Sequence, residues 1–239
     1  MGVQGGSITT DIIKNGLVFN MDAANRASTI PSTSTDKTFN TVDTSVSGSF
    51  INDTFYDSST ISPSFDFDGT DDYIQTNFLQ DATNNFSVFS WINVDSPSNT
   101  KYQFLGTREE STGASTSKGF VFQLNGSREV QARIFTTTSN ITQVNAGVVT
   151  NGIWANVAFT YVASIKTLKI FRNGIEVGSA TGTAAGVTSP DSMSIGRAAT
   201  GGQYGYFDGN IGPIHIYNRA LPSNEVLHNY NALKGRFGL

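Results

Sequence analysis

The stretch TLKIFRNGIEVGS, residues 167–179, decides the fold. Two alternating runs flank Asn173 and Gly174, and both of those residues can take the positive φ that a two-residue type I′ turn requires, so the stretch is a β-hairpin. Leu168 and Ile170 fall on one face, Lys169 and Phe171 on the other. The hairpin is therefore half buried or covered on both sides. Upstream, FSVFSWINV at 86–94 sets Phe86, Val88, Ser90, Ile92 and Val94 against Ser87, Phe89, Trp91 and Asn93. Both faces are substantially apolar, which places this strand at the centre of a sheet.

Further outward the same pattern repeats. Runs of β-branched and aromatic residues bounded by Gly, Asn, Asp or Pro occur at 17–22, 64–67, 73–76, 102–107, 120–124, 129–135, 153–162, 192–196 and 211–218. Many short strands with little helical signal define an all-β sandwich or barrel. Residues 26–62 are crowded with Ser, Thr, Asp and Asn and read as a long ordered surface loop with one edge strand; 108–118 and 198–209 read as two further loops. Near the end, LPSNEVLHNYNALKG places Val226, Tyr230 and Leu233 at helical spacing. Pro222 suits the first helical position and Gly235 a stop, so one short helix closes the chain.

The composition agrees. Gly, Ser, Thr and Asn fill 99 of 239 positions, while 38% hydrophobic and 11% aromatic residues suffice for a core, so the disordered class is excluded. This length suits one large all-β domain, with residues 1–15 as an N-terminal arm and 16–239 as the domain. A formal net charge of −4 offers no field for a phosphate backbone, which argues against nucleic acid. No run reaches the roughly 18 apolar residues of a membrane span, and MGVQGGSITTDIIKNG lacks the basic start and apolar run of a signal peptide. The absence of cysteine excludes disulfides, thiol catalysis and thiolate metal sites.

Four blocks in order, FDFDGTDDYIQT (65–76), FSVFSWINV, GIWANVAFTYVASIKTLKIFRNGIEVGSA (152–180) and SIGRAATGGQYGYFDGNIGPIHIYNRALPSNEV (194–226), resemble the laminin-G-like branch of the concanavalin A-like lectin and glucanase superfamily. The resemblance implies a two-sheet antiparallel jelly-roll sandwich whose concave face and rim loops bind glycans in some members, often with calcium. The opening IIKNGLVFNMDAANRAS and the ending NYNALKGRFGL are similar to laminin-G-like modules carried on virions of tailed, especially marine, phages. That likeness implies a structural protein on the virion surface, with other capsid or tail proteins and cell-surface polysaccharide as partners, released by lysis without a signal peptide. Residues 1–15 or the KGRFGL end would be its attachment arms. The chain departs from the family pattern at 36–60, where a tryptophan and a Gly- and Asn-rich turn are expected, and at Pro222, where a capping Ser is common.

The superfamily's glucanases carry two glutamates with an aspartate between them, alternating along one strand, and glycoside hydrolysis needs such a facing carboxyl pair. The five glutamates here, Glu109, Glu110, Glu129, Glu176 and Glu225, form no such pattern. The chain is accordingly expected not to be an enzyme. His215 and His228 stand outside any Ser, His and acid arrangement, and His215 reads as a partly exposed strand residue. The densest acidic patch is Asp66, Asp68, Asp71 and Asp72. Calcium favours clustered carboxylates and turn carbonyls, so calcium is the one candidate cofactor, held by Asp68, Asp71 and Asp72 with help from Asp22 or Asp208. The alternative is that Asp66 and Asp68 face solvent while Asp71 and Asp72 hydrogen-bond within the turn. A glycan needs an aromatic face and fixed polar groups. Tyr102, Arg108, Gln203, Tyr204 and Tyr206 are the candidates, whereas Trp91 and Trp154 read as core. Two rival functions follow from the same residues: a free calcium-dependent lectin, and, against the missing carboxyl pair, a polysaccharide-cleaving glycosidase.

Overall fold

The computed structural model describes residues 11–28, 36–58, 62–80, 82–95, 102–107, 119–135, 141–184, 191–197 and 205–239. Along them run β1 (Leu17–Met21), β2 (Lys37–Phe39), β3 (Ser47–Ile51), β4 (Phe55–Asp57), β5 (Ser64–Asp68), β6 (Tyr73–Thr76), β7 (Phe86–Val94) and β8 (Tyr102–Gly106). Then follow β9 (Gly119–Leu124), β10 (Glu129–Phe135), β11 (Ile141–Val148), β12 (Ala155–Val162), β13 (Thr167–Arg172), β14 (Ile175–Thr181), β15 (Ser194–Ile195), β16 (Asp208–Tyr217) and the helix α1 (Ser223–Leu233). They build two eight-stranded antiparallel sheets. The first runs β14-β13-β12-β7-β16-β5-β4 with β1 also on β16, and the second runs β11-β10-β9-β8-β15-β6-β3-β2. Among the described residues no helix is long and apolar enough to cross a membrane.

The inward faces meet in one aromatic core. Phe159 on β12 lies 5.4 Å from Phe86 on β7 and 5.0 Å from Phe122 on β9, ring centre to ring centre, which locks sheet to sheet. Each such side chain contributes about 1.5–3 kcal/mol on burial. The hairpin turns where expected, with Asn173 and Gly174 at φ 50° and 78°.

β7 is apolar on both faces because two layers cover it. Phe86, Val88, Ile92 and Val94 join the inter-sheet core, while Phe89 and Trp91 face outward under α1 and the turn that follows it. Residues 11–15 of the expected arm are tied to this cover. Ile13 donates its N–H to Asn229 Oδ1 (2.8 Å), Tyr217 Oη donates to the Ile13 carbonyl (2.8 Å), and Arg219 Nε donates to the Asn15 carbonyl (2.9 Å). Residues 1–10 lie outside the described part. The KGRFGL end is likewise packed rather than an arm: Lys234–Phe237 form a 3₁₀ turn with Phe237 buried on Trp91 and Trp154.

Three expectations are corrected. Residues 26–62 are not a loop with one edge strand, since β2 and β3 extend the second sheet and β4 edges the first. Their buried positions are polar or small, so no apolar alternation marks them. Thr38 and Asn40 are buried, and Asn40 Oδ1 accepts the N–H groups of Asn20 and Val42 (2.8 and 3.1 Å). Pro222 is the extended cap residue before α1, not its first residue. The stop is Gly238, left-handed at φ 72°, because the 3₁₀ turn carries the chain past Gly235.

Candidate functional site

The turn 69–72 crosses one rim of the sandwich, leaving the first sheet at Asp68, which pairs with Asp208, and entering the second at Tyr73, which pairs with Ile51. Gly69 makes the crossing possible. It sits at φ +74°, and a Cβ there would lie 2.8 Å from Asp208 Cβ. Gly69→Ala is expected to cost about 1–3 kcal/mol through left-handed strain and this contact, read as a fall in the urea midpoint at unchanged slope.

Within the turn, Asp72 accepts from Asp53 N–H on Oδ1 (2.9 Å) and from Asp68 N–H on Oδ2 (3.1 Å). Asp68 Oδ1 accepts from Thr70 N–H (2.8 Å) and Asp71 N–H (3.3 Å). One oxygen from each of Asp68, Asp71 and Asp72 lies within 4.8 Å of the others. The trio named from sequence is therefore brought together, yet much of its acceptor capacity holds the turn. The Asp71 carboxylate and Oδ2 of Asp68 are the oxygens left to offer a cation. Burial, and then the neighbouring Asp68 and Asp71 charges, push the Asp72 carboxyl up against its two backbone hydrogen bonds. Asp68 also feels burial, but backbone donors outweigh it and hold its carboxyl down. Burial first, then Asp95 and Asp68, push Asp208 up.

Asp22 does not join them. Its two oxygens take both arms of Arg236 (2.8 and 3.1 Å). Nor does Asp66 simply face solvent: it is half-buried and accepts from Asn210 Nδ2 (2.9 Å).

Beside this turn, on the outer face of the second sheet, Tyr73 stacks under Arg197, whose Cζ lies 3.4 Å from the ring centre. Tyr206 approaches the same ring at 6.5 Å and 41°. Ile74 and Ile195 point into the core, so Tyr73 and Gln75 stand outward. Gly196 leads into Arg197 at φ +87°, where a Cβ would lie 2.5 Å from the Phe67 ring. The Arg197 Nε is buried and makes no hydrogen bond among the described residues. Gln75 Oε1 accepts from Ser194 Oγ (3.0 Å) and continues the polar face. Further across, Gln123 and Gln131 are buried and hydrogen-bond each other, and Gln131 Nε2 donates to Asn145 Oδ1 (2.7 Å).

Of the glycan residues named from sequence, Tyr206 stands at this rim. Tyr102 lies on β8 with its side chain outside the described part, and Arg108, Gln203 and Tyr204 lie outside it altogether. Sequence reasoning missed Tyr73 and Arg197. The only signal was a lone arginine after a glycine in SIGRAAT and a tyrosine alternating with Ile74.

Among the described glutamates, Glu129 is held by Asn125, Glu176 by Lys169 and Glu225 by Arg219. Glu109 and Glu110 lie outside the described residues. His215 is buried rather than partly exposed, at 4%, because the docked C-terminal turn covers its face of β16. Trp91 and Trp154 are buried as expected.

Two facing antiparallel sheets with a helix on one outer face define a lectin/glucanase-like β-sandwich. Residues 68–227 match the concanavalin A-like lectin/glucanases superfamily, and the chain belongs to it. Among solved structures it is similar to the sialidase of Trypanosoma rangeli in complex with 2,3-difluoro-KDN (TM-score 0.66, 14% identity, 92% of this chain and 33% of that one). It is also similar to the binding domain of botulinum neurotoxin serotype D (TM-score 0.66, 12% identity, 90% and 51%). The binding domain of Paraclostridial Mosquitocidal Protein 1 matches as well (TM-score 0.62, 13% identity, 91% and 52%). The chain thus spans a third of the sialidase and about half of each toxin domain; at these identities the likeness concerns the fold. No curated protein matches the sequence.

Proposed function

We propose that the chain is a non-enzymatic glycan-contacting sandwich on the surface of a phage virion, in contact with other capsid or tail proteins. Its rim of Tyr73, Arg197 and Tyr206 would touch cell-surface polysaccharide. The observation that carries the reading is the Arg197 guanidinium over Tyr73, its Cζ 3.4 Å from the ring centre, beside Tyr206. It combines an aromatic surface for sugar C–H groups with fixed donors for hydroxyls. The absence of catalysis is supported by the separate partners of Glu129, Glu176 and Glu225 and by the use of both Asp72 oxygens as backbone acceptors. The virion setting is supported by the likeness of both chain ends to phage-borne modules.

A single copy is expected to bind weakly and to tighten about 10²–10⁴-fold when many copies are displayed on a bead. Arg197→Ala and Tyr206→Ala should each weaken binding to cell-surface polysaccharide several-fold, at a cost of about 1 kcal/mol. Equal binding by wild type and both variants would remove the rim from the reading, and reducing-sugar release would remove the non-enzymatic part. Mass spectrometry of purified particles tests the virion setting. The clustered oxygens of Asp68, Asp71 and Asp72 favour a second reading, a calcium-dependent lectin. In that case a chelator abolishes the binding and calcium restores it.

A further inference from the structure

The outer face of the first sheet, beyond the cover of α1, carries a row that no function above employs. Asn93 on β7 pairs in register with Asn210 on β16, Asn210 with Asp66 on β5, and Asp66 with Phe55 on β4. Ile92, Val94, Ile211, Phe65 and Phe67 point into the core, so these four side chains stand together on the opposite face. Cross-strand neighbours on one face have Cβ atoms roughly 4.5–5.5 Å apart, within reach of one ligand group.

The row is unequal in chemistry. Phe55 is 51% exposed, a large apolar ring at the free edge of the sheet. Asn210 is buried and spends an amide N–H on Asp66 Oδ1, which fixes the carboxylate. The Asn93 side-chain oxygen is buried and accepts no hydrogen bond among the described residues. The fixed groups left over are acceptors beside an aromatic ring. One step along the strands, Asp68 and Asp208 pair on the same face, and Asp95 N–H donates to the Asp208 carbonyl (3.2 Å). Among the described residues Asp66, Asp68, Asp95 and Asp208 have no ion-pair partner. Burial first, then Asp57, pushes the Asp66 carboxyl up, although the Asn210 hydrogen bond opposes this.

A neutral sugar would leave this field uncompensated, and an acidic one would be repelled. Primary ammonium groups spaced along one chain answer each feature: one donates to Asp66 and rests on the Phe55 face, and another, two strands further across, donates to the Asn93 oxygen. The row spans three strand spacings, about 14 Å, which suits a short oligosaccharide. We infer that the Phe55, Asp66, Asn210 and Asn93 row is a binding site for the ammonium groups of a deacetylated amino-sugar chain. It lies on a different face from the Tyr73 and Arg197 rim and does not depend on it.

The full chain is titrated by calorimetry with a glucosamine tetramer, its N-acetylated counterpart, and a lysine trimer. The glucosamine tetramer should bind, with the N-acetylated form at least tenfold weaker. Asp66→Asn, which keeps a partner for Asn210, should weaken binding about tenfold, and Phe55→Ala about threefold. Tyr206→Ala should change nothing, and 1 M salt should remove most of the signal by shortening the screening length to about 3 Å. If Asp66→Asn fails to fold by thermal unfolding, the exposed Asp95→Asn replaces it, with a several-fold loss expected. Absence of binding, equal binding of the N-acetylated tetramer, or insensitivity to the carboxylate change overturns the inference. Equal binding of the lysine trimer overturns it in favour of a basic protein partner, and loss in Tyr206→Ala overturns it in favour of the rim.

Discussion

Trp91→Ala is expected to destabilise the fold by about 3–5 kcal/mol, the upper range for removing a buried aromatic. Trp91 sits on the outer face of the central strand β7 and is 1% exposed. Phe237 stacks on it at 4.1 Å and 11°, Tyr230 at 5.8 Å and 16°, and Trp154 closes on Phe237 from 4.7 Å. Deleting the indole opens a void that these rings cannot collapse into, because Trp154 is anchored beside β12 and Tyr230 by α1. Phe237 also loses its platform, which loosens the turn that carries Arg236 onto Asp22. Urea unfolding should show a lower midpoint, with loss of near-ultraviolet circular dichroism from the ring cluster. Phe237→Ala in the same background should add less than it costs alone, with a coupling of about 0.5–1.5 kcal/mol from the stacked pair. A loss below about 1 kcal/mol for Trp91→Ala would mean that the C-terminal turn is not held on the sheet by these rings.

That cluster marks the boundary of what the sequence could reveal. Apolar alternation and Asn173-Gly174 made β7, β13 and β14 readable, since period and turn chemistry are local. The double-sided apolar character of β7 announced a cover over its outer face, but nothing local identified Phe237 and Ile13 as parts of it. Each lies far in sequence from the strand it covers, so both ends read as arms. β2, β3 and β4 were illegible for another reason. In β2 and β3 the buried positions are Thr38 and Gly48, with Asn40 just beyond β2, while β4 has none, and a Cβ at Gly48 would fall 2.5 Å from Ile74. Close approach and buried amides leave no hydrophobic signature. The candidate site divides the same way. Asp68, Asp71 and Asp72 are neighbours in the chain and were grouped from sequence, whereas Arg197 meets Tyr73 only because β15 pairs with β6 in the second sheet, setting Ile195 opposite Ile74. The in-register row from Phe55 to Asn93 draws on four strands and depends wholly on topology.

The second large effect concerns pH. His215 lies on β16 between Asn20 of β1 and Phe89 of β7, buried beneath the Asp22 and Arg236 pair. Burial lowers its pKa from 6.5 to about 4; Asp22 opposes the shift and Arg236 adds to it. An unfolded chain takes up this proton near pH 6.5, while the folded chain resists it until about pH 4. Below pH 6.5 the unfolded state therefore binds more protons, and stability falls with pH until the folded histidine also titrates. The loss available from this one group is about 3 kcal/mol, spread between pH 6.5 and 4. Asp66, Asp72 and Asp208 act in the opposite direction, because their raised carboxyls favour the folded state as they protonate. The wild-type profile alone would merge the two, so the comparison is with His215→Asn. The variant should be less stable at pH 7, through altered packing, and should lack the wild-type decline over this window, so that the gap between the two narrows as pH falls towards 4. Parallel profiles would show that the histidine takes up its proton equally in both states, which is incompatible with an imidazole shut beneath the C-terminal turn.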